Sequence, residues 1–169
     1  MLFRSIDALK DLKDLENLDI SGTRVKLLEG LSKAYKLKIL NLSRTQIDSI
    51  GKLKDLKNIT HLHVDRTWVK EFDGIQGLTK MMVLSASWTR VKDLEPLLPL
   101  TRLVELYLDG CGAKLEKGLD LSPLKELRSL RRLALWQSGA TRQGIGELKR
   151  ANPHLQVMGC EGPGDWPCK

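Results

Sequence analysis

The sequence predicts an α/β repeat solenoid, in which short coils stack side by side and their strands pair into one parallel β-sheet. Threonine recurs every 22 residues, at Thr23, Thr45, Thr67 and Thr89. Several apolar columns around it keep the same step. A fixed period of roughly 20 to 50 residues indicates an array of stacked structural units.

The apolar columns place a short strand in each coil. The first strand column contains Leu18, Leu40, Leu62, Leu84 and Leu106. The second contains Ile20, Leu42, Val64, Ala86 and Leu108. Residues two positions apart lie on the same side of a strand. One coil cannot bury that side alone, whereas coils about 4.8 Å apart bury it together.

The repeated motif is also similar to a known family. Between Leu12 and Val25 the chain follows Leu-x-x-Leu-x-Leu-x-x-[Asn/Thr/Cys]-x-Leu. This resembles the leucine-rich-repeat family in its short, 22-residue form, over about residues 3–157. The resemblance implies a right-handed superhelix with a concave parallel sheet and a convex side of turns, 3-10 helices and short α-helices.

The threonine column replaces the asparagine of the commoner pattern. We expect each hydroxyl to bond the backbone of a neighbouring turn and each methyl to pack on the next threonine. Cys111 continues this column and is predicted to be a buried structural residue.

The repeat changes length after Cys111. Leu106 and Leu133 are 27 residues apart, so five residues are inserted, and we expect the added length to loop out of one face. Thr141 to Arg150 is predicted to form a helix that Asn152-Pro153 ends. A last strand, His154 to Val157, would place Leu155 in the leucine column, 22 residues after Leu133. This ending resembles the longer repeats of ribonuclease-inhibitor-like proteins.

The chain is therefore divided into a solenoid of about seven coils, residues 1–158, and an irregular tail, residues 159–169. We place the strands around residues 18, 40, 62, 84, 106, 133 and 155. Phe3, Ile6 and Leu9 match Val25, Leu28 and Leu31, so the first coil is truncated. We expect either a fragment of a longer array or a solenoid without a conventional N-terminal cap, and we expect Trp166 to cover the other end.

Composition limits the partner and the compartment. A formal charge of +7 and a pI near 9.4 favour an acidic partner. We predict a protein partner, with RNA as the alternative, and neither a membrane nor a small-molecule substrate. Three cysteines form no regular disulfide framework, and the first residues lack the layout of a secretion signal. We therefore expect an intracellular, cytoplasmic protein, although Cys160 and Cys168 could pair if it were secreted.

The inner face is built from the strand positions between the leucine columns. We expect exposed side chains from Asn17, Asp19, Ser21, Ile39, Asn41, Ser43, His61, His63, Asp65, Val83, Ser85, Ser87, Glu105, Tyr107, Asp109, Arg132, Ala134 and Trp136. Just beyond the strands, Gly22, Arg44, Arg66, Trp88 and Gly110 form another column. Arg, Tyr and Trp are enriched in binding hot spots. The predicted partner-binding residues are Arg44, Arg66, Trp88, Tyr107, Asp109, Trp136, His61 and His63. The alternative is that these are ordinary exposed side chains.

Metal binding and catalysis are not predicted. His61, His63 and Asp65 alternate along one strand and could offer two or three ligands. However, neighbouring strands carry no further His or Cys at matching positions, and an exposed strand needs polar residues anyway. Ser85 and Ser87 lie beside the histidines, but an open sheet offers no water-excluding cleft. We predict a non-catalytic scaffold without cofactors.

Basic residues form further columns. One contains Lys26, Lys70, Lys92 and Lys114, a second contains Lys36, Lys80 and Arg102, and a cluster contains Lys125, Arg128, Arg131 and Arg132. These residues either solvate the rim or face acidic protein segments or RNA phosphates. The second functional hypothesis is therefore a basic structural subunit of a ribonucleoprotein or other large assembly, although no aromatic motif of the RNP type is present.

Overall fold

Seven short strands form one parallel sheet whose order follows the chain. A computed structural model describes residues 5–112, 115–116 and 118–159. The strands are β1 (Asn17–Asp19), β2 (Ile39–Asn41), β3 (His61–His63), β4 (Val83–Ser85), β5 (Glu105–Tyr107), β6 (Arg132–Ala134) and β7 (Gln156–Met158). The first leucine column is paired in register from Leu18 to Leu106, and Leu106 pairs with Leu133. The predicted repeat solenoid is confirmed.

The return path of each coil is a short helix. Six 3-10 helices precede one α-helix in the described residues: Asp7–Leu9, Glu29–Leu31, Gly51–Leu53, Ile75–Gly77, Glu95–Leu97 and Ser122–Glu126, followed by α1 (Arg142–Ala151). The hydroxyl of Thr141 accepts the Gly144 N–H at 3.1 Å and so caps the start of α1. Asn152, before Pro153, ends it. The predicted change from tight turns to a true helix is confirmed.

One aliphatic core runs through all the coils. The leucine columns of β2 to β6 are fully buried, and Phe72 is the largest side chain among the completely buried residues. At the start of the described residues, Ile6 is buried and Ser5 pairs with Leu27, which agrees with the predicted register of the first coil. Stacking removes from water the apolar surface that a single coil would expose.

The threonine column works differently from the prediction. Each hydroxyl donates to the carbonyl three residues earlier in its own turn, for example Thr67 to Val64 at 2.7 Å and Thr89 to Ala86 at 2.7 Å. The expected bond to a neighbouring turn is wrong, because the chain reverses so tightly after the strand that its own carbonyl is the nearest acceptor. Cys111 is buried as predicted. Its thiol, unlike the threonines, bonds the Ala86 carbonyl of the preceding coil at 3.1 Å.

The last strand lies two residues later than predicted. Val157, not Leu155, pairs with Leu133, so this coil is 24 residues long. The ten-residue helix α1 and the turn after it use more chain than a 3-10 helix does. Leu155 instead fills the buried position before the strand, with its N–H bonded to the Asn152 carbonyl at 3.1 Å.

The inserted segment is only partly a loop. Leu119 and Leu121 are buried, so part of the added length joins the core. Several predictions concern residues outside the described part of the chain, namely those on Phe3, Lys114, Cys160, Trp166 and Cys168. The boundary between solenoid and tail at residue 159 stays a prediction. None of the helices in the described ranges is long and apolar enough to cross a membrane.

Candidate binding face

The chain leaves strands β1 to β5 through a residue in the left-handed conformation, and Gln137 has the same conformation after β6. We call Gly22, Arg44, Arg66, Trp88 and Gly110 the rim column, whose φ angles lie between 56° and 71°. Each N–H donates to a carbonyl of the next coil, for example Arg66 to Ser87 at 2.8 Å and Trp88 to Asp109 at 2.6 Å. A non-glycine residue in this conformation costs about 1–2 kcal/mol. Gly22 and Gly110 avoid that cost. Folding therefore does not require an arginine or a tryptophan at the other positions of the rim column.

An arginine and two tryptophans stack at this rim. We call Arg66, Trp88 and Trp136 the aromatic cluster. The Arg66 guanidinium carbon lies 5.5 Å from the Trp88 ring centroid. The Trp88 and Trp136 centroids are also 5.5 Å apart, edge to face at 71°. Both geometries are favourable aromatic contacts. The two indoles nevertheless remain 37% and 39% exposed.

Gly110 allows the two tryptophans to meet. Trp88 and Trp136 belong to coils that are separated by the coil of Gly110, and the Trp88 ring lies directly against this glycine. A Cβ at Gly110 would lie 2.8 Å from the Trp88 Cδ2 atom. The Trp88 ring therefore occupies the space that a side chain at position 110 would fill. We call this space the Gly110 seat.

A polar network underlies the cluster. Asp65 accepts hydrogen bonds from the hydroxyl of Ser85 at 2.6 Å and the N–H of Ser87 at 2.9 Å. The Asp109 N–H donates to the Ser87 hydroxyl at 3.1 Å, and the Trp136 N–H donates to the Asp109 carboxylate at 2.6 Å. Partial burial raises the pKa of Asp109, although the hydrogen bonds from Trp136 and Ser87 oppose the shift. The network fixes the backbone that carries Trp136.

The middle of the sheet carries a second polar group. Tyr107 donates its hydroxyl to Glu105 at 2.6 Å, and Arg132 forms an ion pair with the same carboxylate. The Tyr107 hydrogen bond, followed by Arg132, lowers the pKa of Glu105, while the bond to Glu105 raises the pKa of Tyr107. His61 contacts Thr60, with 2.9 Å between Nδ1 and Oγ1. These polar side chains lie beside the aromatic cluster on the sheet, and we call them the polar floor.

The structure thus unites some of the predicted site residues and separates others. Arg66, Trp88, Asp109 and Trp136 form one connected group. Tyr107, His61 and His63 lie on the strands of the floor. Arg44 shares the rim, and within the described ranges its side chain has no hydrogen-bond or ion-pair partner.

Two residues expected on the exposed inner face are buried. Ser87 is enclosed because it bonds both Asp65 and Asp109. Ala134 is covered because its register neighbours, Tyr107 and Met158, are larger. Across the part of the chain that the structure describes, no three His, Cys, Asp or Glu side chains are arranged to hold a metal ion.

Sequence reasoning missed the seat at Gly110 and the ion pair of Glu105 with Arg132. The signal for the first was available, because glycine follows Trp88 directly in the rim column. The signal for the second was also available, because the pairing of Leu106 with Leu133 places Glu105 beside Arg132 on neighbouring strands.

Solved structures with the same architecture are leucine-rich-repeat proteins. An internalin C2 from Listeria monocytogenes superposes with a TM-score of 0.73 at 26% identity, over 79% of this chain and 57% of that one. A leucine-rich-repeat protein from Leptospira interrogans gives a TM-score of 0.78 at 19% identity, over 88% and 38%. The fold is that of the leucine-rich-repeat proteins.

A further leucine-rich-repeat structure carries a bound partner. The plant peptide hormone receptor in complex with RGF2 matches with a TM-score of 0.66 at 19% identity, over 86% of this chain and 24% of the receptor. This chain spans little more than half of the internalin, and less of the other two proteins. No protein-family model matches the sequence, and no curated protein does.

Proposed function

We propose that this leucine-rich-repeat chain is a non-catalytic scaffold that binds a protein partner on its concave face, at the aromatic cluster and the neighbouring rim arginine Arg44. One observation carries the proposal. Three consecutive coils place Arg44, Arg66 and Trp88 in a left-handed conformation that glycine would adopt at less cost. Such strain persists where a function requires the side chain.

The cluster has the energetic properties of a binding hot spot. Each indole leaves more than a third of its surface exposed, and burying the remainder of both would contribute on the order of a few kcal/mol. The rings are already held by Arg66, by each other and by the Gly110 seat. Little conformational entropy is therefore lost when a partner covers them.

The surrounding floor suits a protein surface. Tyr107, His61 and His63 offer polar groups around an apolar centre, which is the arrangement of a core and rim in protein interfaces. The plant receptor bound to RGF2 supports the idea that such a scaffold recognises polypeptides, although its similarity to this chain is one of fold. We place the scaffold in the cytoplasm on the basis of its cysteine usage. We also interpret its α1 coil as a longer repeat of the ribonuclease-inhibitor-like kind.

Affinity capture from cells that contain the native protein, followed by titration of the purified captured protein, tests the proposal. Trp88→Ala and Trp136→Ala should each weaken binding at least tenfold, as expected for hot-spot tryptophans. Tyr35→Ala is the matched control, because Tyr35 is 55% exposed but lies outside the cluster. Equal binding by all three variants, with thermal stability unchanged, would refute the proposed face.

A further inference from the structure

A second surface of the solenoid is strongly basic and contains an exposed tryptophan. After each threonine of the column the chain stays extended, so alternate residues face outward. Thr67 and Val69 are buried, whereas Trp68 and Lys70 are exposed. The same alternation holds in the coils on either side. We call the outward cations and tryptophan of this surface the basic flank: Arg24, Lys26, Trp68, Lys70, Arg90 and Lys92.

Backbone hydrogen bonds fix the spacing of the flank. The N–H of Trp68 donates to the Ile47 carbonyl at 2.9 Å, and the N–H of Arg90 donates to the Val69 carbonyl at 2.8 Å. These bonds hold neighbouring coils about 4.8 Å apart, as in a parallel sheet. The flank side chains are therefore anchored on a rigid, nearly flat surface.

Cations predominate at the outward positions of the flank. It contains five cations, and the one anion among the outward positions of these coils is Asp48. These outward positions thus carry a net formal charge of +4, and the acidic residues Glu71, Asp73 and Asp93 lie beside them. The five ion pairs in the described residues all use cations elsewhere, namely Lys36, Lys38, Lys52, Lys125 and Arg132. The flank cations are left available for an external anion.

The exposed Trp68 indicates which kind of anion the basic flank binds. Trp68 is 50% exposed and follows no apolar column, so core packing does not explain it. A carboxylate-rich peptide needs cations alone, whereas a single nucleic-acid strand gains from both phosphate contacts and stacking of a base on an indole. A flat aromatic ring between cations matches the second case.

We propose that the basic flank binds single-stranded nucleic acid, with a base stacked on Trp68 and phosphates on Lys70, Arg90 and Lys92. The strand crosses the coils along the flank. Glu71, Asp73 and Asp93 follow these cations in the sequence. Their carboxylates would repel the phosphates, so the strand would stay on the side of the cations. Together with Lys70, Arg90 and Lys92 these acidic residues line a cavity of about 580 Å³. This site is separate from the concave protein-binding face.

Fluorescence anisotropy of a fluorescein-labelled 12-nucleotide oligouridylate at low salt provides the test. Each phosphate contact to a single strand adds about 0.7 to the slope of log affinity against log salt. The triple variant Lys70→Ala/Arg90→Ala/Lys92→Ala should bind at least tenfold more weakly. The magnitude of its slope of log affinity against log salt should be smaller by about 2. The matched control, Lys33→Ala/Lys54→Ala/Lys57→Ala, removes the same charge from exposed lysines outside the flank and should retain binding.

Trp68→Ala isolates the stacking contact. It should weaken binding about tenfold without changing the salt slope, and Trp68→Phe should recover most of the loss. The proposal is overturned if the control triple weakens binding as much as the flank triple does, or if Trp68→Ala binds like the parent. Displacement of the oligonucleotide by polyglutamate at equal charge concentration would also overturn it, and would indicate an acidic protein segment as the ligand.

Discussion

The indole of Trp88 rests on Gly110 of the next coil, where a Cβ would lie 2.8 Å from the Trp88 Cδ2 atom. Across this glycine Trp88 meets Trp136, so one residue without a side chain sets the geometry of the aromatic cluster. The left-handed backbone of Trp88 is shared with Arg44 and Arg66, and the Arg66 guanidinium lies over the Trp88 ring. Gly110 is therefore a positioning residue for the proposed binding face.

Replacing Gly110 with alanine should displace Trp88. The variant adds a Cβ in a backbone with φ of +71°, which costs about 1–2 kcal/mol by itself, and it also forces the ring away. Gly22→Ala is the control, because Gly22 has φ of +70° and open space around a Cβ. Urea denaturation should show a larger loss for Gly110→Ala, with changed tryptophan fluorescence. Equal losses and unchanged fluorescence would show that the seat has no effect.

The hydroxyl of the threonine column should contribute measurably to stability. Thr67→Val removes the bond to the Val64 carbonyl while keeping the side-chain shape, so we expect a loss of about 1–2 kcal/mol in the free energy of unfolding. Thr101→Val, at an exposed site, should change stability little. Chemical denaturation of both variants measures the difference. A Thr67→Val variant as stable as the parent would mean that the hydroxyl only fills space.

Asp109 should make stability depend on pH. Burial raises its pKa, so its contribution is fully present below the ordinary aspartate pKa of about 3.9 and is lost as the pH rises through the raised value. Asp109→Asn stays neutral and still accepts the Trp136 N–H. It should therefore be more stable than the parent at pH 7 and equally stable near pH 3.

A second aspartate gives the opposite sign and serves as the control. The Ser122 N–H, followed by the Ser122 hydroxyl, lowers the pKa of Asp120, so its contribution is present at neutral pH and is lost as the pH falls. Asp120→Asn should be less stable than the parent at pH 7. Thermal unfolding from pH 3 to pH 7 measures both variants. The same sign of change for both at pH 7 would contradict the assigned environments.

Most of the fold follows from one periodic pattern. The leucine columns specify which residues are buried and, through the 22-residue step, which ones pair, from Leu18 to Leu106. The pattern fails where a coil contains a different return element. Val157 replaces Leu155 beside Leu133 because α1 consumes more residues than a 3-10 helix. Periodicity does not indicate how much chain an irregular coil uses.

The candidate site was predictable in its residue types but not in its contacts. The repeat register places Arg66 and Trp88 in one column and correctly predicts that both side chains are exposed. The contact of Trp88 with Trp136 depends on side-chain directions across an intervening coil, and that information is absent from a column alignment. The buried state of Ser87 likewise depends on hydrogen bonds to Asp65 and Asp109 from two neighbouring coils.

Hydrogen–deuterium exchange of the chain, alone and bound to the protein that it captures, tests the central claim most directly. We expect slower exchange on binding in the segments around Arg66, Trp88, Gly110 and Trp136, because a partner on the concave face would cover the rim amides. Exchange in α1 should stay unchanged. Protection confined to α1 and the 3-10 helices, with the rim unaffected, would contradict the account and place the interface on the convex side.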